Sequence, residues 1–248
     1  MTRRKTVLAL LVGIASIAGY GFQAARKPAA PTDPLIAGFS KSTVASVADA
    51  VDQVIGKRGF MSHDMRPRVN GKFVGRARTA LMRETTPDKA GPAVSAKHSV
   101  EMIDTAKPGE VGVIVIENGL DVAGLGGLMG TAAKVRGMAG IVIDGGVRDV
   151  VEVRALGLPV YARSVVPSSS VGRYATVANG IPVKCGGVDV SPGDLIIAGE
   201  DGVVVVPQAR AGEVLKRAQE IDERETNMLP FIRELKELGK AVAKFNRI

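Results

Sequence analysis

The sequence contains one cysteine, two histidines, no tryptophan and only 4% aromatic residues among its 248 positions. Because Cys185 is the sole cysteine, the chain has no intrachain disulfide and no cysteine-based metal cluster. The two histidines, His63 and His98, stand apart without metal-ligand spacing, and we expect both at the surface or in turns. The scarcity of aromatic residues predicts a core of valine, isoleucine, leucine and alanine.

Basic residues outnumber acidic ones, but their distribution does not favour nucleic-acid binding. The formal net charge is +8. Residues 1–34 contribute half of it, because they contain five basic residues and one acidic residue. Elsewhere the basic residues are scattered, apart from a group between Arg66 and Arg78, and few aromatic residues lie among them. We therefore expect no nucleic-acid partner and interpret this group as solvated residues that flank a strand.

The N-terminal segment has the pattern of an export signal. Arg3, Arg4 and Lys5 precede an apolar run at residues 6–22, which a basic and proline-rich stretch follows. This order is typical of a secretory signal peptide, and the run also reaches the lower limit of length for a membrane anchor. We predict that residues 1–25 are a signal peptide or N-terminal anchor.

Export would place the protein in the periplasm or outside the cell, or anchor it to the inner membrane through residues 6–22. A twin-arginine signal is one alternative, although Thr6 stands where an apolar residue is expected. A misassigned start codon is another. Residues 26–39 are predicted to form a linker.

The sequence pattern of residues 40–207 predicts an α/β domain with short strands, and that of residues 208–248 predicts a helical extension. Thirty glycines and many runs of valine and isoleucine favour strands and tight turns over a helical bundle. Valines at helical spacing predict a helix at residues 42–55. Four strands are predicted between residues 182 and 206, and Pro230 is predicted to break the extension.

Two glycine-containing segments carry the strongest functional signal. Residues 126–130 open a helix predicted at 131–136, and residues 144–149 end a strand predicted at 140–143 with the adjacent pair Arg148 and Asp149. The free N–H groups at a helix start bind carboxylate or phosphate oxygens. An arginine binds a carboxylate with two donors, and an aspartate can hold a hard divalent cation. The two segments together predict a site for a small anionic substrate and a metal ion.

These segments, together with residues 185–188, 192–194 and 201–207, resemble the RraA-like family. That family includes the 4-hydroxy-4-methyl-2-oxoglutarate (HMG) aldolases and the regulator of ribonuclease activity A. The resemblance covers roughly residues 40–225 and keeps the motifs in order. It implies a β/β/α swivelling fold and a homotrimer with active sites between subunits. In the aldolase branch it implies a divalent-metal-dependent lyase that forms pyruvate from 4-hydroxy-2-oxo acids, often with oxaloacetate decarboxylase activity.

The resemblance also implies roles for individual residues. Arg148 matches the arginine that binds the pyruvyl carboxylate, and Asp149 matches the aspartate that holds Mg²⁺ or Mn²⁺, often through water. Both are therefore expected to be catalytic. The loop whose backbone amides contact substrate is matched by four residues: Gly126, Gly127, Leu128 and Met129.

One position departs from the aldolase pattern. Characterised bacterial aldolases have an acid twenty-one positions before the arginine, where this chain has Gly127. Metal binding would then depend on Asp149, water and a neighbouring subunit. The regulator branch can lack the aspartate after the arginine, so Asp149 favours the lyase branch.

Alternative interpretations apply to several residues and to the protein as a whole. Arg148 and Asp149 could form only a local ion pair, and Cys185 is interpreted as a packed residue. Glu152 and Arg154 are expected to pair with each other or with water. The C-terminal glutamates 223 and 225 are interpreted as solvated charges that could reach an adjacent subunit. For the whole protein, the alternatives are a non-enzymatic binding or regulatory trimer and an enzyme for another carboxylate.

Overall fold

The computed structural model describes residues 33–247. The predicted signal peptide or anchor and the first half of the predicted linker, residues 26–32, therefore lie outside the described residues. Between residues 33 and 247, no helix combines the length and the apolar character needed to cross a bilayer.

Helices and strands alternate through most of this range. The α-helices are α1 (Pro34–Phe39), α2 (Val44–Ile55), α3 (Pro92–Ser95), α4 (Lys97–Asp104), α5 (Gly127–Val135), α6 (Val150–Ala155), α7 (Ala211–Leu235) and α8 (Leu238–Phe245). The strands are β1 (Arg66–Val69), β2 (Phe73–Glu84), β3 (Val111–Ile116), β4 (Ala123–Leu125), β5 (Gly140–Val147), β6 (Val160–Val165), β7 (Tyr174–Asn179), β8 (Val183–Cys185), β9 (Val188–Val190), β10 (Leu195–Gly199) and β11 (Gly202–Val206).

Nine strands form one barrel-like mixed sheet in the order β1-β6-β5-β3-β2-β10-β11, with β4 beside β5 and β7 beside β2. Neighbours in the run β2-β3-β5-β6 pair in parallel, so their carboxyl ends meet at one edge of the sheet. The predicted α/β fold class is confirmed, because the sheet is mixed, the strands are short and a helical segment follows at the C-terminus.

The core is almost entirely aliphatic, as the composition predicts. One apolar cluster fills the space between the sheet and helices α4, α5 and α6. A second lies on the other face of the sheet, where the rings of Phe73 and Tyr161 meet edge to face with centroids 5.6 Å apart. A third joins α1, α2 and α7 to β10 and β11. Helices α4, α5 and α6 thus cover one face of the sheet, and α1, α2 and α7 pack against its β10–β11 end.

A tight hairpin of β8 and β9 closes part of the second cluster. Its turn residues, Gly186 and Gly187, have φ values of 54° and 84°, which glycine adopts without steric cost. Cys185 precedes the turn and is fully buried, and this burial raises the pKa of its thiol well above the usual range. The position agrees with the interpretation of Cys185 as a packed residue rather than a nucleophile.

The predicted break at Pro230 is wrong. Helix α7 continues through Pro230 to Leu235 and ends at Lys236, which has a left-handed φ of 55°. Contacts on both sides hold the helix together: Met228 is buried, and Phe231 packs edge to face against Phe245 of α8. Packing therefore outweighs the backbone hydrogen bond that proline cannot donate.

A polar network ties the hairpin to the edge of the parallel strands. Arg163 on β6 donates to Asp64 and to Asp144, in each case at 2.9 Å. The other oxygen of Asp144 accepts a 2.7 Å hydrogen bond from the Gly186 amide. Burial raises the pKa of Asp64, but the hydrogen bonds from Ser62 and Arg163 outweigh it and lower this pKa below its ordinary value of 3.8.

We expect Asp64→Asn to destabilise the fold in a pH-dependent way. A carboxylate with a lowered pKa stabilises the folded state above its unfolded pKa, and this contribution disappears as the pH falls through the folded value. At neutral pH the variant should be less stable by about 1 kcal/mol. Chemical denaturation between pH 7 and pH 2.5 should show the difference shrinking only below the ordinary pKa of 3.8. The exposed Asp88 provides the control Asp88→Asn, and a difference that stayed constant with pH would contradict the assignment.

Candidate active site

The predicted site residues lie where two chain segments run side by side at the carboxyl edge of the parallel strands. Strand β4 leads through Gly126 into α5, and β5 leads through Arg148 and Asp149 into α6. The Arg148 amide donates a 3.0 Å hydrogen bond to the Leu125 carbonyl, which fixes the two corners against each other. Gly127 and Asp149, which are 22 positions apart in sequence, are thereby brought into contact.

Asp149 connects the corners through its side chain. Its backbone is left-handed, with φ 52° and ψ 42°, and it occupies the N-cap position of α6 without capping that helix by its side chain. Instead its Oδ2 accepts a 2.8 Å hydrogen bond from the Gly127 amide in the first turn of α5. The Nε of Arg148 lies 3.8 Å from the same oxygen. Asp149 Oδ2 therefore lies between the N-terminus of α5 and the guanidinium of Arg148.

Helix α5 begins at Gly127, four residues before the predicted start, because the glycine loop itself forms the first turn. An α-helix leaves the amides of this turn without intrahelical acceptors. The amide of Gly127 is used by Asp149, so the amides of Leu128 and Met129 are the ones placed to receive an external oxygen. The side chain of Leu128 is 90% exposed.

The two glycines differ in the space around them. A Cβ on Gly126 would lie 2.6 Å from Oδ2 of Asp149 and 3.1 Å from Nε of Arg148, so no larger residue fits without moving the pair. A Cβ on Gly127 would have no neighbour closer than 3.6 Å. Gly126 thus permits the close approach of the corners, whereas a Cβ on Gly127 would make only ordinary van der Waals contacts with Asp149 and Glu152.

The charged pair is accessible from solvent, with 42% of the Arg148 side chain and 44% of the Asp149 side chain exposed. Apart from this pairing, the Arg148 side chain has no hydrogen bond or ion pair to any residue between 33 and 247. The second oxygen of Asp149, Oδ1, likewise accepts no hydrogen bond from the described residues. The corner therefore offers a guanidinium for an anion and a carboxylate oxygen for a cation.

The residues at this corner fit a hydrated divalent cation and do not fit a closed structural metal site. No group of three or more His, Cys, Asp or Glu side chains in the described range could hold a metal ion, which does not fit a closed structural site. Mg²⁺ commonly binds through one or two carboxylates and completes its shell with water and substrate oxygens. The free oxygen of Asp149 fits a hydrated hard cation of this type.

Other residues considered from the sequence lie elsewhere or are already engaged. His98 on α4 pairs with Glu101 at 2.7 Å, and Glu225 on α7 pairs with Arg247. Within the basic group, Arg76 pairs with Asp33. These contacts are structural and bring none of the residues to the Arg148 corner.

Sequence reasoning gave no role to Asp144 and Arg163, which line a polar cavity of about 680 Å³ bordered by the loop after β3. Asp144 stands within the predicted motif, but nothing in the sequence identifies Arg163 as its partner nineteen positions away. This cavity is lined by neither Arg148 nor Asp149.

The fold and this corner define a mixed α/β protein with a barrel-like sheet and a site at the carboxyl edge of its parallel strands. The chain belongs to the RraA-like family, whose model, described as Aldolase/RraA, matches residues 44–205. The family prediction is thereby confirmed.

Three relatives illustrate the similarity. An uncharacterised protein of Methanocaldococcus jannaschii, MJ0644, is 38% identical over 115 residues, or 46% of this chain and 55% of its own. A 4-hydroxy-4-methyl-2-oxoglutarate aldolase of Thermus thermophilus is 31% identical over 146 residues, or 59% of this chain and 86% of its own. The solved structure of Streptomyces coelicolor RraAS2, described as an unusual member of the RNase ES inhibitor RraA protein family, matches with a TM-score of 0.69. It is 28% identical and covers 79% of this chain and 96% of its own.

The matched length differs among these relatives. The chain spans about half the length of MJ0644 and of a further curated relative from Halalkalibacterium halodurans. The names of the relatives range from an aldolase to a member of an inhibitor family.

We expect opposite results from alanine at the two glycines. Gly126→Ala should displace the Asp149 carboxylate and destabilise the fold by about 1–3 kcal/mol, because the added methyl overlaps the charged pair. Gly127→Ala should leave the stability of the fold within about 0.5 kcal/mol, or raise it, because its methyl would make only ordinary van der Waals contacts. Chemical denaturation of the matched variants tests this, and a Gly126→Ala protein as stable as Gly127→Ala would rule out the close approach described above.

Proposed function

We propose that this protein is a divalent-metal-dependent lyase that cleaves 4-hydroxy-2-oxo acids of the HMG type to pyruvate and also decarboxylates oxaloacetate. The observation that carries the proposal is the placement of Arg148 and Asp149 beside the first turn of α5. The aldolase name of the Thermus relative supports the same chemistry.

In this proposal Arg148 binds the carboxylate of the 2-oxo acid. Its guanidinium is exposed and has donors free toward solvent, and two parallel hydrogen bonds to a carboxylate would fix the orientation of the substrate. The amides of Leu128 and Met129 receive further substrate oxygens at the positive end of α5. The substrate would thus be held at its pyruvyl end.

Asp149 is the residue proposed to hold Mg²⁺ or Mn²⁺. The hydrogen bond from Gly127 orients its carboxylate and leaves Oδ1 for the cation. When bound, the cation would polarise the 2-oxo group and stabilise negative charge as the carbon–carbon bond breaks.

One binding mode serves both substrates. In HMG and in oxaloacetate the bond that breaks joins C3 to C4, and its electron pair stays with the three-carbon 2-oxo fragment. In HMG the C4 hydroxyl loses its proton and C4 becomes the keto carbon of a second pyruvate that leaves, whereas in oxaloacetate C4 leaves as carbon dioxide. A proton then adds to C3, and the fragment leaves as pyruvate. Because Arg148 binds only this shared fragment, the same side chain can act in both reactions.

Pyruvate release by the full chain tests the proposal. With Mg²⁺ we expect turnover of HMG and oxaloacetate, and EDTA should abolish it. Asp149→Asn should lower kcat/KM by about 100-fold or more, because the metal loses its charged ligand. Arg148→Met should cause a loss of about 100-fold that includes a raised KM.

The exposed Arg154 on α6 supplies the matched control, because Arg154→Gln removes a guanidinium close in sequence to the site. This variant should retain activity within about twofold. Turnover that persists in EDTA, or survives Asp149→Asn unchanged, would be incompatible with a metal-dependent lyase.

A non-enzymatic binding or regulatory role is the second candidate, since the Streptomyces relative is described as a member of an RNase inhibitor family. A folded protein without turnover on either substrate would favour this role. Export through residues 1–25 also remains a proposal, supported by the basic and apolar pattern of the sequence.

We further propose that the protein forms a homotrimer in which a neighbouring subunit covers the α5–α6 surface, defined here by Leu128, Val135 and Val151. These side chains are 90%, 81% and 73% exposed. They lie on the two helices that begin at the Arg148 corner. Large exposed apolar side chains grouped in this way are typical of an interface between subunits.

Charged substitutions on this surface should dissociate the assembly. We expect Val135→Lys to shift the mass measured by light scattering from trimer to monomer, because a buried lysine would lose its hydration. Val177→Lys on β7, where the valine is 44% exposed, should leave the mass unchanged. A monomeric wild-type chain, or a Val135→Lys protein that stays trimeric, would contradict the interface.

A further inference from the structure

Three asparagines in the described range are each followed by glycine: Asn70, Asn118 and Asn179. Glycine offers its backbone nitrogen to a preceding carboxamide with little steric hindrance, because it has no side chain. Attack of that nitrogen on the carboxamide converts asparagine to an acidic residue, and this covalent modification needs no enzyme. The three pairs share the sequence feature, so their surroundings in the fold decide which of them reacts.

In the pair at residues 118–119, the attacking nitrogen is already bound. Gly119 is buried, and its amide donates a 3.0 Å hydrogen bond to the Ile116 carbonyl. The nitrogen must lose this bond before it can react with the carboxamide of Asn118, although that side chain is exposed. Reaction at this pair therefore requires local opening of the loop after β3.

In the pair at residues 179–180, both reacting groups are bound. The Gly180 amide donates a 2.9 Å hydrogen bond to the Thr79 carbonyl. The carboxamide of Asn179 donates to the carboxylate of Glu101 on α4 at 3.2 Å. Two hydrogen bonds must break before this pair can react, so the folded state protects it as well.

Neither group is bound at residues 70–71, in the connection between β1 and β2. The Asn70 side chain is exposed. Neither its carboxamide nor the Gly71 amide has a hydrogen bond to any residue between 33 and 247. The two residues also line a cavity of about 530 Å³, which leaves room for the carboxamide to turn toward the nitrogen.

The fold also requires glycine at position 71. Its φ is 154°, and an added Cβ would lie 2.6 Å from Cγ of Pro159. A residue with a side chain, which would hinder the attack, does not fit here without strain. The β1–β2 connection thus retains the reactive pair for a structural reason.

We propose that Asn70 is a deamidation site of the folded protein. The Gly71 nitrogen gives its proton to a solvent base and bonds to Cγ of Asn70. The bond from Cγ to the carboxamide nitrogen then breaks, and that nitrogen takes up a proton and leaves as ammonia. Water opens the resulting cyclic imide at either carbonyl, which gives aspartate or isoaspartate and one new negative charge. This inference does not depend on the proposed lyase activity.

The modification would alter a connection that contacts several elements. The Gly71 carbonyl accepts a 3.2 Å hydrogen bond from the Tyr161 hydroxyl. Nζ of Lys72 donates to the carbonyls of Ser40 and Ser42, between α1 and α2. Isoaspartate adds one carbon to the backbone directly before these contacts, which displaces Gly71 and Lys72 relative to their partners.

Peptide mass spectrometry of the full chain, incubated in mildly alkaline buffer, tests the proposal. Each conversion raises the mass of its peptide by about 1 Da. In the folded protein, Asn70 should convert at least about tenfold faster than Asn118 and Asn179, because only its pair needs no opening. In guanidinium chloride the three rates should agree within about threefold, because the protecting hydrogen bonds are lost.

Matched variants provide a second measurement, in which isoelectric focusing follows the more acidic species over time. Asn70→Gln should remove its rapid formation, because the longer side chain forms the cyclic imide slowly. Asn118→Gln should leave the rate of formation unchanged within about twofold.

The outcomes decide the assignment. Rapid conversion at Asn70 in the folded chain, with both aspartate and isoaspartate as products, supports it. Equal rates at the three sites in the folded protein would overturn it, as would conversion of Asn70 only in guanidinium chloride. Formation of aspartate without isoaspartate would rule out the attack by the Gly71 nitrogen.

Discussion

The carboxylate of Asp149 accepts a hydrogen bond from the first turn of a helix to which it does not belong. This bond joins the corner after β4 to the corner after β5, and the other features of the site depend on it. It directs the carboxylate away from its own helix, leaves one oxygen free, and holds the negative charge beside Arg148. The backbone bond from Arg148 to Leu125 holds the two corners together, and the Asp149 bond adds the position of the carboxylate.

The sheet makes this bond achievable. Strands β4 and β5 pair in parallel, so both corners leave the sheet at the same edge. Gly126 then removes the side chain that would keep them apart. The three hydrophobic clusters lie behind and beside these corners and leave them accessible. A rigid sheet thus supports a short, polar and solvent-facing site, as is common for sites at the carboxyl ends of parallel strands.

Much of the fold could be predicted from sequence because its signals are local. Valine spacing indicates α2, and the aliphatic runs indicate β10 and β11. The adjacent Arg148 and Asp149 after a buried strand, together with the glycine loop, indicate which segments meet at the site. The order of the motifs was sufficient to identify the family, and the match over residues 44–205 confirms it.

The remaining features depend on contacts that sequence does not encode locally. The passage of α7 through Pro230 follows from packing against α8. The partnership of Asp144 with Arg163 joins two strands. The nearness of Glu152 to Gly127 requires the relative placement of two helices. Each is a tertiary effect that overrides or supplements a local preference.

The left-handed backbone of Asp149 sets the stability of the fold in conflict with the carboxylate that the proposed site needs. A non-glycine residue in this conformation costs on the order of 1 kcal/mol, which glycine would largely avoid. Asp149 recovers little of this cost within its own helix, because its side chain does not cap α6. A search for greater thermal stability would therefore favour glycine at this position and, in doing so, remove the carboxylate from the corner. The residue best suited to the backbone is not the one that the proposed metal site requires.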